Sequence, residues 1–365
     1  SNLTVDPAAS YLVTGGLGAL GLRAARWLVE RGARALALAG RSEPSPTTHE
    51  RIAELGRQGA TVHVVQGDVA DPADSGRMVA EAEAVAPLRG VLHAAGVVRD
   101  AGLLQQTRDG LEQVAAPKVG GALALLEAVG KRRLDFFVLY SSASGLLGTP
   151  GQANYAAANM GLDALARRAR AAGLPATSVA WGPWRGEGMA AELGDQLLDR
   201  WGLQSLSPEQ GVRCLEQAIL AGEPGVAVLS LSEQRLRELR GRRPLPLLLA
   251  AGVGPPTGPE ESAPAEAPEE SADLKSALAA AGPGEQAEVL TRHVTAVVRE
   301  LLRLDESQPL TAEDRLEEFG LDSLLALDLR EVLQSALEID LPATLVIEYG
   351  TVEGVVAYLL SRIQG

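Results

Sequence analysis

The residues able to do chemistry in this chain are few enough to weigh singly. Tyr155 and Asn159 stand four apart in QANYAAANMG, a helical run of small residues, so both side chains fall on one helix face. Ser142 closes the apolar run FFVLYSS, and the lysines are three: Lys118, Lys131 and Lys275. A phenol, a hydroxyl, an amide and an ammonium brought together would hand a proton to a carbonyl oxygen. A tyrosine of ordinary pKa about 10 gives up its proton readily only where the phenolate is stabilised, and a nearby cation does that. Lys131 lies in the solvated cluster Gly130-Lys131-Arg132-Arg133 and Lys275 in a Pro/Ala/Glu-rich stretch, which leaves Lys118, in VAAPKVGGALALLEAV at a helix start. The candidate set is Tyr155 as acid, Ser142 as hydrogen-bond donor to a carbonyl, Lys118 as cation and Asn159 as orienter. Each also has a plain structural reading, since serines abound at strand ends and Asn159 suits a helix surface. Composition does not choose between them.

The elements that must position these residues come next. Apolar runs at 11–16, 35–41, 61–68, 90–96, 136–142, 177–182 and 225–231 alternate with helical patterns. This is the rhythm of a Rossmann-like α/β fold, a doubly wound parallel sheet whose strands are buried on both faces and so read as continuously apolar. Gly16, Gly18 and Gly21 fit G-x-G-x-x-G between the first strand and an amphipathic helix, where glycine lets the backbone approach a pyrophosphate and free N–H groups meet its charge. At the end of the second strand stand Arg41 and Ser42 in place of an acid, which favours a 2′-phosphate and hence NADPH. Asp68 and Val69 are placed for the adenine, and Ala94, Ala95 and Gly96 for the nicotinamide ribose. His93 reads as structural. By the strand-edge rule, Ser142 lies where sites of open α/β sheets gather.

Composition narrows the function classes. The net charge of −14 is uneven: residues 285–365 hold 16 acids against 6 bases, residues 250–284 hold 6 against 1, and the remainder is about +1. A near-neutral front and an acidic tail argue against nucleic-acid binding and suggest that the tail docks on basic patches. No run approaches the roughly 20 apolar residues of a membrane span, and no signal peptide is legible, so the chain reads as cytoplasmic. Cys214 is the only cysteine and the four histidines are scattered, so no metal is expected. Domain boundaries are expected at 1–245 for the α/β domain, 246–284 for a Pro/Ala/Glu-rich linker and 285–365 for a small all-α helical bundle. The absence of a starting methionine suggests a segment of a longer polypeptide.

TGGLGALG, AGRS, GDVAD, HAAGV, Lys118, YSSASGLLGTPGQANYAAAN and SVAWGPW together resemble, from about 8 to 240, the ketoreductase catalytic domain of modular polyketide synthases. That family is a branch of the short-chain dehydrogenases in which lysine and asparagine have exchanged places relative to the Tyr-x-x-x-Lys signature. The resemblance implies the roles proposed for Lys118 and Asn159. It adds Thr14, Gly15, Leu17, Ala19 and Pro183 to the NADPH site, and a lid over substrate at 182–189 that includes Trp184 and Met189. Of the stereochemical markers, Asp100 is kept from a Leu-Asp-Asp motif and Leu147 stands where the opposite class has tryptophan, which implies the D (3R) alcohol. The family's structural half, which normally precedes the catalytic half, is expected upstream or omitted.

The tail, with Glu318-Phe319-Gly320-Leu321-Asp322-Ser323-Leu324 opening a helix, is similar to an acyl carrier protein. This implies 4′-phosphopantetheine on Ser323, loaded by a phosphopantetheinyl transferase. The family has proline where Gly350 stands. The implied activity is NADPH-dependent reduction of a β-ketoacyl thioester on the chain's own carrier, beside ketosynthase, acyltransferase and dehydratase or enoylreductase domains of a synthase. A flexible linker of 35 residues, 250–284, would span roughly 30 to 35 Å. The alternatives are a reductase of free carbonyls with a helical appendage, and an inactive scaffold supporting the carrier.

Overall fold

Seven strands pair in parallel in the order β3-β2-β1-β4-β5-β6-β8: β1 (Ser10–Thr14), β2 (Ala35–Gly40), β3 (Thr61–Gln66), β4 (Leu88–His93), β5 (Phe136–Ser142), β6 (Ala176–Trp181) and β8 (Gly225–Val228). A short pair, β7 (Leu203–Gln204) with β9 (Ser230–Leu231), is antiparallel. This computed structural model describes residues 3–149, 151–186, 188, 202–240, 269–282, 284–302, 309–319, 321, 323–342 and 344–364. Every apolar run read as a strand is one. The strand order reverses between β1 and β4, where Thr14 pairs with His93, and ligands of open α/β sheets bind beyond the carboxyl ends at such a switch.

Two apolar layers sandwich the sheet. On one side α1 (Ala19–Glu30) and α8 (Pro208–Ala221) bury Trp27, Leu28 and Leu215 against Tyr11, Val13 and Leu38. On the other, α3 (Pro72–Val85), α5 (Gly121–Val129) and α7 (Ala153–Ala171) bury Met78, Leu125 and Leu162 against Leu12, Val91 and Leu139. Helix α9 (Glu233–Arg240) follows β9. The double burial foreseen for every strand fails at both edges of the sheet, at β8, where only Val228 is buried, and at β3. It pairs on one side only, and of its residues only Val65 is buried, with His63 and Val64 exposed. An edge strand has no second neighbour to cover it.

Helix starts differ in a way that bears on function. Ser45 caps α2 (Pro46–Arg57), Asp71 caps α3 and Ser207 caps α8, each through its side chain, whereas α1 begins at Gly18 with no side-chain cap and no acid in its first turn. The first N–H groups of α1 are left for another acceptor.

The chain divides into two compact units, Ser1–Pro255 and Pro256–Gly365. In the second, α10 (Glu269–Ala280), α11 (Gln286–Leu302), α12 (Ser323–Leu337), α13 (Leu345–Tyr349) and α14 (Val352–Gln364) share one core with Leu290, Leu329 and Leu359 fully buried. The linker reading of 246–284 is corrected at α10. Leu274 and Leu278 are 4% and 7% exposed within that core, and Lys275 pairs with Glu338, so these 12 residues belong to the bundle, and a 35-residue coil overstates the free length. An apolar i, i+4 pair found a groove that composition did not reveal. Residues 246–268 of the expected linker lie outside the described residues. At Gly350, φ is +60° and the N–H bonds to the Val346 carbonyl at 2.9 Å, closing α13 in a left-handed turn that a proline, lacking the N–H and fixed at negative φ, cannot adopt.

Candidate active site

The nucleotide cleft opens over the carboxyl ends of β1, β2 and β4 with a volume of about 630 Å³. Its floor is a glycine cradle. Gly15 has φ +68°, and a Cβ there would stand 2.7 Å from the backbone of Ala94, while one on Gly21 would stand 2.2 Å from the Gly15 carbonyl oxygen. The loop is thereby pressed flat, with the open end of α1 facing the cleft. Thr14, Gly15, Leu17, Gly18, Ala19, Gly21, Arg41, Ser42, Asp68, Val69, Ala94, Ala95 and Gly96 all line it. Gly16 does not; a Cβ there would meet the Val13 carbonyl at 2.5 Å, so its smallness serves packing behind the loop. Pro183 is also outside the lining. Leu20 of the TGGLGALG motif and Gly188 of the expected lid line the cleft too, while sequence reasoning missed Ser45, Thr48 and Pro117, which line the same cleft and carry no motif of their own. A bare helix terminus, a side-chain-free cradle and an arginine at the second strand's end fit a dinucleotide bearing a 2′-phosphate.

Lys118 is presented by an irregular turn. α4 (Arg108–Ala115) runs into α5 through a π-helical turn at Ala116–Gly120, in which the Gly121 N–H reaches back five residues to the Ala116 carbonyl. Pro117 sits in this turn and lacks an N–H to give, which removes one regular helical bond and favours the wider winding. The turn directs Lys118 inward to 2% exposure, with Nζ donating to the Tyr140 carbonyl at 3.0 Å and lying 5.1 Å from the centroid of the Tyr155 ring. Gly96 leaves room, since a Cβ there would stand 2.9 Å from Lys118 Cε. Gly161 on α7 lets that helix close on the turn: a Cβ would stand 2.8 Å from Val119 Cγ2.

Tyr155 and Asn159 lie on the buried face of α7, as their spacing foretold. Asn159 Nδ2 donates to the Tyr155 carbonyl at 2.8 Å and to Ser144 Oγ at 3.4 Å, while its buried Oδ1 has no partner among the described protein groups. Ser142 ends β5, and its Oγ accepts the Ser144 N–H at 3.2 Å. Burial pushes the Tyr155 phenol above its ordinary value; the Asn159 and Ser142 side chains pull it down, and Asp100 adds to the rise. In the resting protein the net direction is thus upward, where Lys118 was expected to set this phenol low. The amine lies over the ring and is held by a carbonyl, and desolvation outweighs the groups that favour the phenolate. Burial likewise pulls Lys118 down to about 7, with the negative charge of Asp163 holding it up.

The remaining candidates separate. Asp100 is exposed and accepts from Gln152 Nε2 at 3.3 Å. Leu147 ends the short helix α6 (Ser144–Leu147), half-buried. Trp184 is corrected as a lid residue. It is 4% exposed in the core, its ring 5.1 Å from that of Trp181, packed so closely that a Cβ on Gly211 would stand 2.1 Å from it. Met189 lies outside the described residues. Ser323 is the first residue of α12.

Comparison with known proteins bears on both units. Residues 9–186 match the KR domain, and residues 292–359 match the phosphopantetheine attachment site. The spectinabilin polyketide synthase system protein NorB of Streptomyces orinoci is 40% identical over 98% of this chain. The polyketide synthase GfsA of Streptomyces halstedii is 38% identical over 98% of it. The chain spans only 17% and 5% of those two proteins' lengths. Among solved structures, A-type ketoreductases from a modular polyketide synthase superpose with a TM-score of 0.62 at 36% identity, covering 67% of this chain and 52% of theirs. The ketoreductase from the first module of phoslactomycin biosynthesis in Streptomyces sp. HK803 gives 0.62 at 39%, covering 68% and 59%. A KR domain implies NADP(H), and a phosphopantetheine attachment site implies 4′-phosphopantetheine. The cleft and cradle seen here accord with the first, and the serine opening α12 with the second. Residues 9–186 belong to the KR domain family and residues 292–359 to the phosphopantetheine attachment family, so the chain joins a ketoreductase domain to a carrier domain and is similar over nearly its whole length to parts of polyketide synthases.

Proposed function

We propose that this chain reduces a β-ketoacyl thioester carried on its own Ser323 to the D (3R) β-hydroxyacyl thioester, with Tyr155, Ser142, Lys118 and Asn159 as the working residues. NADPH, when bound, supplies the hydride. Thr14, Gly15, Leu17, Gly18, Ala19 and Gly21 shape the floor that holds it, and Arg41 and Ser42 select its 2′-phosphate. The observation that carries the reading is the meeting, in the buried interior near the end of β5, of a phenol and an amine contributed by segments 37 positions apart.

Ser142 donates to the ketone oxygen and fixes its place. Tyr155, kept protonated by burial, passes its hydroxyl proton to that oxygen as the C–H bond forms at the β-carbon, and the resulting phenolate lies under the Lys118 ammonium. Asn159 ties the tyrosine's own turn of α7 to Ser144 beside Ser142. The D outcome is supported by Asp100, held beside the α7 entrance through Gln152, and by a leucine at 147. A phosphopantetheinyl transferase, the acyl thioester on the carrier and further synthase domains are the partners this activity needs.

The test is NADPH oxidation with a defined β-ketoacyl thioester and chiral analysis of the product. Tyr155→Phe is expected to lower kcat by about 10³-fold with a small change in KM for NADPH. Undiminished turnover in that variant would remove the tyrosine from the chemistry, and an L product would reverse the stereochemical assignment alone.

A further inference from the structure

His93, the last residue of β4, is fully buried and makes two hydrogen bonds: Nδ1 to Thr14 Oγ1 at 2.7 Å, and Nε2 to the Lys118 carbonyl at 2.9 Å. A carbonyl can only accept, so Nε2 carries the ring proton and Nδ1 is left to accept from the threonine hydroxyl. One tautomer satisfies both bonds. The carbonyl it holds belongs to the π-helical turn, the one irregular link in an otherwise continuous helical run from α4 to α5. Space for the ring is made by Gly121, where a Cβ would stand 3.0 Å from His93 Cε1.

We propose that His93 is a positioning residue: as the Nε2–H imidazole it pins the turn at 116–120 to the ends of β1 and β4 and thereby aims the Lys118 amine at the Tyr155 ring. The inference rests on the reading of Lys118 as the cation that serves Tyr155. Without the pin, the winding of the turn rests on the Gly121 N–H bond to the Ala116 carbonyl, and a small rotation there moves Nζ, at the end of a long side chain, by much more. The titratable and charged groups around this cluster are the Lys118 ammonium on the turn and Tyr155 and Asp163 on α7. Desolvation first, and the Lys118 charge after it, hold the imidazole down to about 4, so it keeps its single tautomer across the range in which a reductase works.

The test compares His93→Gln and His93→Asn in the full chain with wild type, Lys118→Met and Tyr155→Phe. Glutamine places an N–H near the position of Nε2 and retains the bond to the turn; asparagine reaches only toward Thr14. Expected are a kcat within about threefold of wild type for His93→Gln and about 10²-fold lower for His93→Asn, with KM for NADPH moved less than about threefold in both. Equal kcat in the two folded variants would overturn the inference. If Lys118→Met is inactive while His93→Asn is fully active, this inference alone fails; if Lys118→Met is active, the reading beneath it fails. A second measurement needs no variant: ¹⁵N NMR of the wild-type imidazoles should show one non-titrating histidine as the Nε2–H tautomer. Only Nδ1–H or titrating histidines would overturn the proposal even if neither substitution folds.

Discussion

Burying a lysine with no salt-bridge partner in hydrogen-bonding reach among the described residues is costly, and Lys118 shows what the site gives up for it. Its folded pKa of about 7 lies below the ordinary 10.5, so the unfolded chain binds more protons between those values and stability attributable to this group rises as pH climbs from about 7 to 10.5. Lys118→Met should therefore raise the stability of the first unit by about 1 to 4 kcal/mol at pH 7 and below, the gain shrinking toward zero above pH 10, while reductase activity is lost. Thermal melts of wild type and variant from pH 6 to 9 read this directly; a gap that widens with pH would refute the assignment. The wild-type kcat should fall as pH rises through about 7, where the ammonium is lost, whereas Tyr155 stays protonated over the same range. At this scale the sequence was informative about identity. Spacing and a strand end marked Tyr155, Asn159 and Ser142 as candidates and the scarcity of lysines marked Lys118, while their roles were implied only by the family resemblance. The Tyr140 carbonyl, the charge of Asp163 and the inward packing of Trp184 were not legible, because backbone acceptors and core contacts leave no mark in residue type.

At the scale of elements, the strands were easy to read because a doubly covered parallel strand must be apolar throughout; β3 and β8 escaped the rule as edges. Helix α1 was legible from its glycines. The π-helical turn was not, since Pro117 before Lys118 signals an interruption without saying whether the helix breaks or widens. Helix α10 was hidden for a different reason. Its composition is that of a linker, and only two leucines at helical spacing, Leu274 and Leu278, show that one face is apolar. Leu278→Ala in the full chain should destabilise the second unit by about 2 to 4 kcal/mol, visible as a lowered melting transition for the bundle with that of the first unit unchanged. A silent substitution would return α10 to the linker.

For the whole molecule, the decisive property is that the proposed function puts a reductase site and the serine that presents its substrate on one chain. Substrate loaded on Ser323 should be consumed with a first-order rate constant that does not change as protein concentration is varied from nanomolar to micromolar, since tethering fixes an effective concentration of order millimolar. A rate proportional to protein concentration would show transfer between chains. Ser323→Ala should abolish loading by a phosphopantetheinyl transferase and leave turnover of a free thioester intact. The division into a reductase and a helical tail was readable from the switch of hydrophobic period; the placing of the boundary was not, because α10 lies on the tail's side of it.

Gly161 has a consequence for how such an enzyme is tuned. Because only a hydrogen lets α7 settle against Val119, the spacing between the proposed proton donor and its proposed cation depends on a residue that touches neither. Selection or an engineer can thus adjust the reaction barrier in small increments from outside the pocket, by a single methyl group at 161, while every reacting atom stays chemically the same.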